Sequence, residues 1–229
     1  MDAVVASDVV AGTFLAMLDE HEREAVLALG TRRKFARGAV LMFQHELDER
    51  VMLLLAGRVK ATRVDSEGHE LLLSIRDPGD VLGELAVIDR QPRVATVTAL
   101  EPVEALVASA QAFRRHLETT PRIATVLLEI VTRRFRETTL KRSQFAALDT
   151  MGRLAARLLE LAERYGKPTE DGGVAVSSPL SQEDLAAWTG ASRAGAAQAL
   201  AAMRELGWVQ SESRRVLVLD TDALRARAQ

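Results

Sequence analysis

Between Thr31 and about Ala108 the chain passes through six short apolar segments, 39–43, 51–55, 58–64, 70–75, 93–98 and 103–107, cut by Gly57, Gly68 and the pair Pro78-Gly79. Segments of this length are too short for ordinary helices. Turn residues recurring every 8–12 residues or so are the mark of strands in an antiparallel sandwich or barrel. A helical segment over 19–29 precedes this region. Another begins near Gln111, where Ser109 is placed to cap its first turn.

The rest of the chain changes character. Thr120-Pro121 reads as a cap followed by proline at the first helical position, and no breaker follows before Asp149. At 1.5 Å per residue such a helix is about 40 Å long. Leu127, Val131, Phe135, Phe145 and Leu148, with Thr138 and Arg142 between them, mark a stripe close to a heptad repeat. A stripe of that kind predicts that two such helices pair in a homodimer, with Asp149 at a hinge. Beyond the hinge the sequence predicts a helix over 152–165 and a polar connector over 167–173. The strand 174–176 and two closely spaced helices follow. Ser181 to Asp184 carries a capping signature, Gly190 supplies the turn and Ser192 caps the second helix. Residues 208–210 and 216–219 read as a hairpin around 211–215.

The predicted fold is α+β: an antiparallel β-roll sensor domain over 1–120, a long dimerisation helix and hinge over 121–149, and a winged helix-turn-helix domain over 150–229. Composition narrows the chemistry. With no cysteine, disulfides, thiolate nucleophiles and cysteine-ligated clusters are excluded. His21, His45, His69 and His116 are scattered without metal-ligand spacing, so no metal and no catalytic residue is assigned. Aromatic residues make up 4%, too few for a base-stacking single-strand surface. Residues 1–149 carry 20 basic and 22 acidic side chains and 150–229 carry 10 of each, so nucleic-acid binding has to come from a local patch. No apolar run approaches the roughly 20 residues of a membrane span, and a cytoplasmic location is expected.

Two constellations carry chemistry. Gly83-Glu84-Leu85 is followed eight residues after Leu85 by Arg93. A carboxylate beside a glycine turn can accept from sugar hydroxyls, and a guanidinium offers a planar fork to a phosphate. In the second constellation Ser192, Arg193 and Gln198 fall on the exposed start of the second helix of the pair. There an arginine can grip guanine and a glutamine can address adenine or phosphate. Arg214 and Arg215 on the hairpin suit phosphate contacts.

Taken together, the β-roll bearing Pro78-Gly79-Asp80-Val81-Leu82-Gly83-Glu84-Leu85 and Pro92-Arg93-Val94-Ala95-Thr96, the long helix and the winged helix-turn-helix closely resemble the CRP/FNR family of bacterial transcription regulators, its cAMP-receptor-like branch most of all. The resemblance covers about residues 10–225. It implies that Glu84 binds the ribose 2′-hydroxyl and Arg93 the cyclic phosphate. Gly83, Leu85 and the Val94 N–H would contribute backbone groups. Thr138 and Thr139 would reach the adenine, one from each subunit, and Arg134 would lie near the ribose. The implied partners are double-stranded DNA with an inverted-repeat operator, a second copy of the chain and RNA polymerase. The implied allosteric ligand is cAMP or another cyclic nucleotide, with no cofactor.

The sequence also departs from this pattern. Val94 stands where cAMP binders carry serine or threonine, and Ala194 and Gln198 stand where they carry glutamate and arginine. The turn 43–48 lacks the usual glycine. An alternative reading therefore keeps the DNA-binding dimer but gives it another small molecule, or none. A nucleotide hydrolase using Glu84 as base is a third reading; no nucleophile elbow, Walker loop or histidine-carboxylate cluster supports it.

Overall fold

The computed structural model describes residues 9–169, 173–176, 180–212 and 215–229. Packing divides them into two units. One ends at Arg136; the other begins at Glu137 and includes Ser66–Leu72.

In the first unit the helix α1 (Glu20–Leu27) starts at a capping box in which Asp19 accepts from the Glu22 N–H and Glu22 accepts from the Asp19 N–H. The strands β1 (Gly30–Phe35), β2 (Val40–Met42), β3 (Arg50–Ala56), β4 (Val59–Val64) and β5 (Glu70–Arg76) come next, the first three residues of β5 being grouped with the second unit. They are followed by β6 (Val81–Leu82), a short helix α2 (Glu84–Asp89), β7 (Thr96–Ala99) and β8 (Val103–Ser109). The strands form two antiparallel sheets of order β1-β8-β3-β6 and β2-β7-β4-β5.

β3 is apolar at five successive positions because both of its faces are covered. Val51, Leu53 and Leu55 pack with Phe14, Phe113, Ile123 and Ile130 on the helical side. Met52 and Leu54 face the other way, toward Met42, Val97 and Ala105. Full burial of each such side chain is worth about 1.5–3 kcal/mol, which makes this strand the spine of the unit. The predicted 93–98 strand is shorter than expected and starts at Thr96. Arg93 bonds instead to the 43–48 loop, its N–H donating to Glu46 O and its carbonyl accepting from the His45 N–H.

Ser109 caps α3 (Ala110–Thr119) as expected, accepting from the Ala112 N–H at 3.1 Å. The long helix α4 (Pro121–Ala146) follows. Its buried face is Ile123, Val126, Leu127 and Ile130, all in the core of the first unit. Leu127 therefore does not belong to an outward seam. Leu128 and Phe135 are 64% and 70% exposed. Ala124, Leu128, Val131, Phe135, Thr138 and Arg142, spaced 4, 3, 4, 3 and 4, form the outward heptad stripe. The sequence pattern took Leu127 in place of its exposed neighbour Leu128, because adjacent leucines fit either phase.

The second unit holds α5 (Thr150–Tyr165), β9 (Gly166–Pro168), β10 (Val174–Val176), α6 (Gln182–Thr189) and α7 (Arg193–Glu205). The hairpin β11 (Val209–Glu212) and β12 (Arg215–Val218) and a last helix α8 (Thr221–Arg227) complete it. Its sheet has the order β11-β12-β10-β9. The predicted connector over 167–173 thus contains a strand, since Gly166–Pro168 pairs with Val174–Val176. Asp149 caps α5, accepting from the Gly152 N–H at 2.8 Å. Phe145, assigned by periodicity to the seam, lies against the Arg157 guanidinium 4.4 Å from its ring centre. Trp188 covers the same cation at 4.6 Å.

Candidate ligand cassette and DNA-contacting surface

Gly83 has φ +79, a left-handed conformation that closes the turn between β6 and α2, and a Cβ there would run into the Arg93 guanidinium. The turn puts Glu84 at the start of α2, where only 7% of it is exposed. Arg134 reaches it from α4: Nη1 donates to Glu84 Oε1 and Nη2 to Asp80 Oδ1, each at 2.7 Å. Charge-assisted bonds of this kind are about twice as strong as neutral ones, so α4 is tied to the turn through one side chain.

Arg93 arrives from the other side and is 3% exposed. Its Nη1 donates to Gly83 O at 2.6 Å, and Nη2 donates to Asp48 O at 3.0 Å and to Arg50 O. The 43–48 loop, which lacks the glycine its turn would favour, is completed by His45 in the left-handed region at φ +67. Gln44 ties that loop to the end of β4 through both main-chain groups of Val64.

The structure therefore brings Gly83, Glu84, Arg93 and Arg134 together within the first unit. Leu85 and Val94 are 40% and 50% exposed. Thr138 and Thr139 are exposed on α4, in the portion that belongs to the second unit. Asp48 and Asp80, the acidic neighbours of the two arginines, were not identified from the sequence. Asp80 lies in the run that leads into Gly83, and its position four residues ahead of Glu84 was the available signal. Asp48 is 45 residues from Arg93 and gave none.

In the second unit Ser181 and Asp184 form a capping box at the start of α6, and Gly190 turns the chain at φ +64. Ser192 caps α7 and accepts from the Gly195 N–H at 3.1 Å. Arg193, Ala194, Ala197 and Gln198 are exposed on the first turns of α7. Arg193 is 80% exposed and pairs with Glu183 of α6. An ion pair this exposed is worth at most about 1 kcal/mol and yields readily to a stronger acceptor. Arg214 lies outside the described residues, and of Arg215 only its place in β12 is described.

Behind this surface the Arg157 cation, stacked between Phe145 and Trp188, donates to Glu160 Oε2 at 2.8 Å, and Lys141 Nζ donates to Glu160 Oε1 at 2.6 Å. Burial holds Arg157 below its ordinary pKa, against the opposing pull of Glu160. Burial by itself would raise Glu160, but Lys141 and Arg157 together bring it below its ordinary value.

Known proteins match two successive parts of the chain. Residues 32–120 match the cyclic nucleotide-binding domain, and residues 152–227 match the Crp-like helix-turn-helix domain. A CRP-like cAMP-activated global transcriptional regulator of Mycobacterium tuberculosis is 35% identical over 196 residues, 85% of this chain and 87% of its own. The global nitrogen regulator of Synechococcus elongatus is 28% identical over 193 residues, 83% and 86% of the two chains. The c-di-GMP responsive global regulator CLP of Xanthomonas campestris superposes with a TM-score of 0.80 at 22% identity, over 89% of this chain and all of that one, which speaks for the fold alone. With both halves matched in order, and a regulator more than one third identical along most of both chains, this chain belongs to the CRP/FNR family of DNA-binding transcription regulators, proteins that are not enzymes.

Proposed function

We propose that the protein is a homodimeric transcription regulator, about 50 kDa from two 25.0 kDa chains, gated by a cyclic nucleotide, with cAMP the foremost candidate. The observation that carries this reading is the convergence of Glu84, Arg93 and Arg134 on the Gly83 turn. Glu84 would hold the ribose 2′-hydroxyl and Arg93 the cyclic phosphate, with main-chain groups of Gly83, Leu85 and Val94 around it. Arg134 would sit beside the ribose, and Thr138 and Thr139 would meet the base. The relative in M. tuberculosis, cAMP-activated by name, supports this choice of ligand.

Arg134 gives the gate its linkage. It joins α4 to Glu84, so a sugar hydroxyl that donates to Glu84 competes with Arg134 and changes what holds the helix. The outward stripe from Ala124 to Arg142 would form the dimer seam on that same helix. A ligand shifts such an equilibrium only by its differential affinity for the two states, typically about 1–3 kcal/mol. In the DNA-competent state the two α7 helices would enter successive major grooves of an inverted repeat. Ser192, Arg193 and Gln198 would contact the operator, and Arg214 and Arg215 its phosphates. RNA polymerase would be a further partner, and the cytoplasm the place of action. Among the described residues no helix is long and apolar enough to cross a membrane.

Val94 favours a second reading, in which a different small molecule, or none, controls the same DNA-binding dimer. Half exposed at the lip of the cassette, it offers an isopropyl group where a hydroxyl would donate to phosphate. Calorimetric titration with cAMP, cGMP and cyclic dinucleotides separates the two readings. Micromolar binding of a cyclic nucleotide that is lost in Glu84→Gln supports the first; absence of heat with every nucleotide establishes the second.

A further inference from the structure

The cassette arginine already has an internal anion. We infer that Asp48 is a built-in competitor of the cyclic phosphodiester for Arg93, and so sets the affinity of the cassette; this rests on the assignment of Arg93 as the phosphate-binding residue. The Asp48 side chain is 8% exposed and the Arg93 side chain 3%. Asp48 Oδ2 lies 3.5 Å from Arg93 Nη2, within ion-pair range but too long for a strong hydrogen bond. Its other oxygen, Oδ1, accepts from Arg50 Nε at 2.8 Å, which fixes the carboxylate in place. The loop carrying Asp48 is held to Arg93 by the reciprocal main-chain bonds of His45 and Glu46.

The arrangement gives Arg93 a carboxylate, shared with Arg50, without satisfying its hydrogen bonding. Arg93 Nε and Asp48 Oδ2 are buried, and neither has a hydrogen-bond partner among the described residues. A guanidinium has five N–H donors in a planar fork, and a phosphodiester offers two oxygens that match one edge of it. A phosphate can thus supply the acceptor that Arg93 Nε lacks. Two penalties oppose it: Arg93 must give up Asp48, and the carboxylate is then left beside a second negative charge. Like charges held close to one cation in a buried site disfavour one another strongly. Both penalties vanish when the carboxylate becomes an amide of the same shape, which can still accept from Arg50.

The test is calorimetric titration of the full-length protein with cAMP and with cGMP, for the parent, Asp48→Asn, Asp48→Ala and Arg93→Ala. Urea unfolding of the same proteins and of the Asp48→Asn/Arg93→Ala double variant completes a thermodynamic cycle. We expect Asp48→Asn to bind about ten- to a hundredfold more tightly than the parent, the range of a typical coupling between sites. We expect Asp48→Ala to show the same direction of change, and the cycle to show favourable coupling between Asp48 and Arg93. Unchanged or weaker nucleotide binding in both Asp48 variants, with binding lost in Arg93→Ala, overturns the competition and leaves the cassette assignment standing. Equal binding by the parent and Arg93→Ala overturns the cassette assignment and this inference with it. Coupling in the cycle with no nucleotide binding by any protein means that the pair is purely structural, which also overturns the inference.

Discussion

The two arginines expected to meet ligands live in opposite surroundings. Arg93 is 3% exposed and enclosed by three main-chain carbonyls and a carboxylate, whereas Arg193 is 80% exposed with one surface partner on the neighbouring helix. A buried cation is held by the fold and in turn holds the fold together, so its chemistry and its structural role cannot be separated. A surface cation can be removed with little cost to stability, and its contribution shows only when DNA arrives.

This contrast can be broken by substitution. Arg93→Ala takes the donor from three interior carbonyls and leaves Asp48 with Arg50 alone, so it is expected to cost about 3–5 kcal/mol in urea unfolding. Arg193→Ala should stay within about 0.5 kcal/mol of the parent. Similar losses in the two variants would erase the distinction. The sequence alone predicts that Arg93→Ala removes nucleotide binding with the fold intact; the burial of this residue replaces that expectation with a destabilised protein.

The second largest effect concerns α4. Phe135→Glu places two carboxylates across the proposed seam, and sedimentation at micromolar concentration should change from about 50 kDa to a 25.0 kDa species. A persisting dimer would assign the stripe to some other interface. On DNA, Arg193→Ala is expected to cost about 1–3 kcal/mol for each base the arginine reads and to relax sequence preference at one position in each half-site, measured on randomised duplexes. Half-sites should lie about 10 base pairs apart, centre to centre. Replacement of Arg214 or Arg215 should weaken all sequences alike and flatten the salt dependence by about one unit for each phosphate no longer neutralised.

The acid limb of stability supplies a smaller test. Glu160 has a folded-state pKa below its ordinary value of 4.5, so its contribution is complete above that value and fades as the pH falls through the folded one. Thermal unfolding of the parent should decline with acidification across this window, and Glu160→Gln should flatten that part of the decline. An unchanged acid limb in the variant would remove Glu160 from the account.

What could be read from the sequence follows from how local each signal is. Ser109, Ser181 and Ser192 each act within one helical turn, and the structure places all three at helix starts. Gly83, Glu84 and Arg93 lie within eleven residues, so their grouping was visible as a motif. The heptad phase was not, because Leu127 and Leu128 are equally apolar and only packing shows which one is buried. The Asp48–Arg93 and Phe145–Arg157–Trp188 contacts join distant segments and leave no periodic trace. The strand β9 is a lysine-containing triplet whose pairing comes from Val174–Val176 rather than from its own composition.

In the proposed function the cassette and the reading helix belong to one switch. Its most direct measurement is the affinity of the parent protein for cAMP, determined by calorimetry with and without an inverted-repeat duplex selected for binding. Linkage requires the factor by which DNA tightens nucleotide binding to equal the factor by which the nucleotide tightens DNA binding, and about 5- to 150-fold is expected. The same cAMP affinity in the presence and absence of DNA would contradict the account.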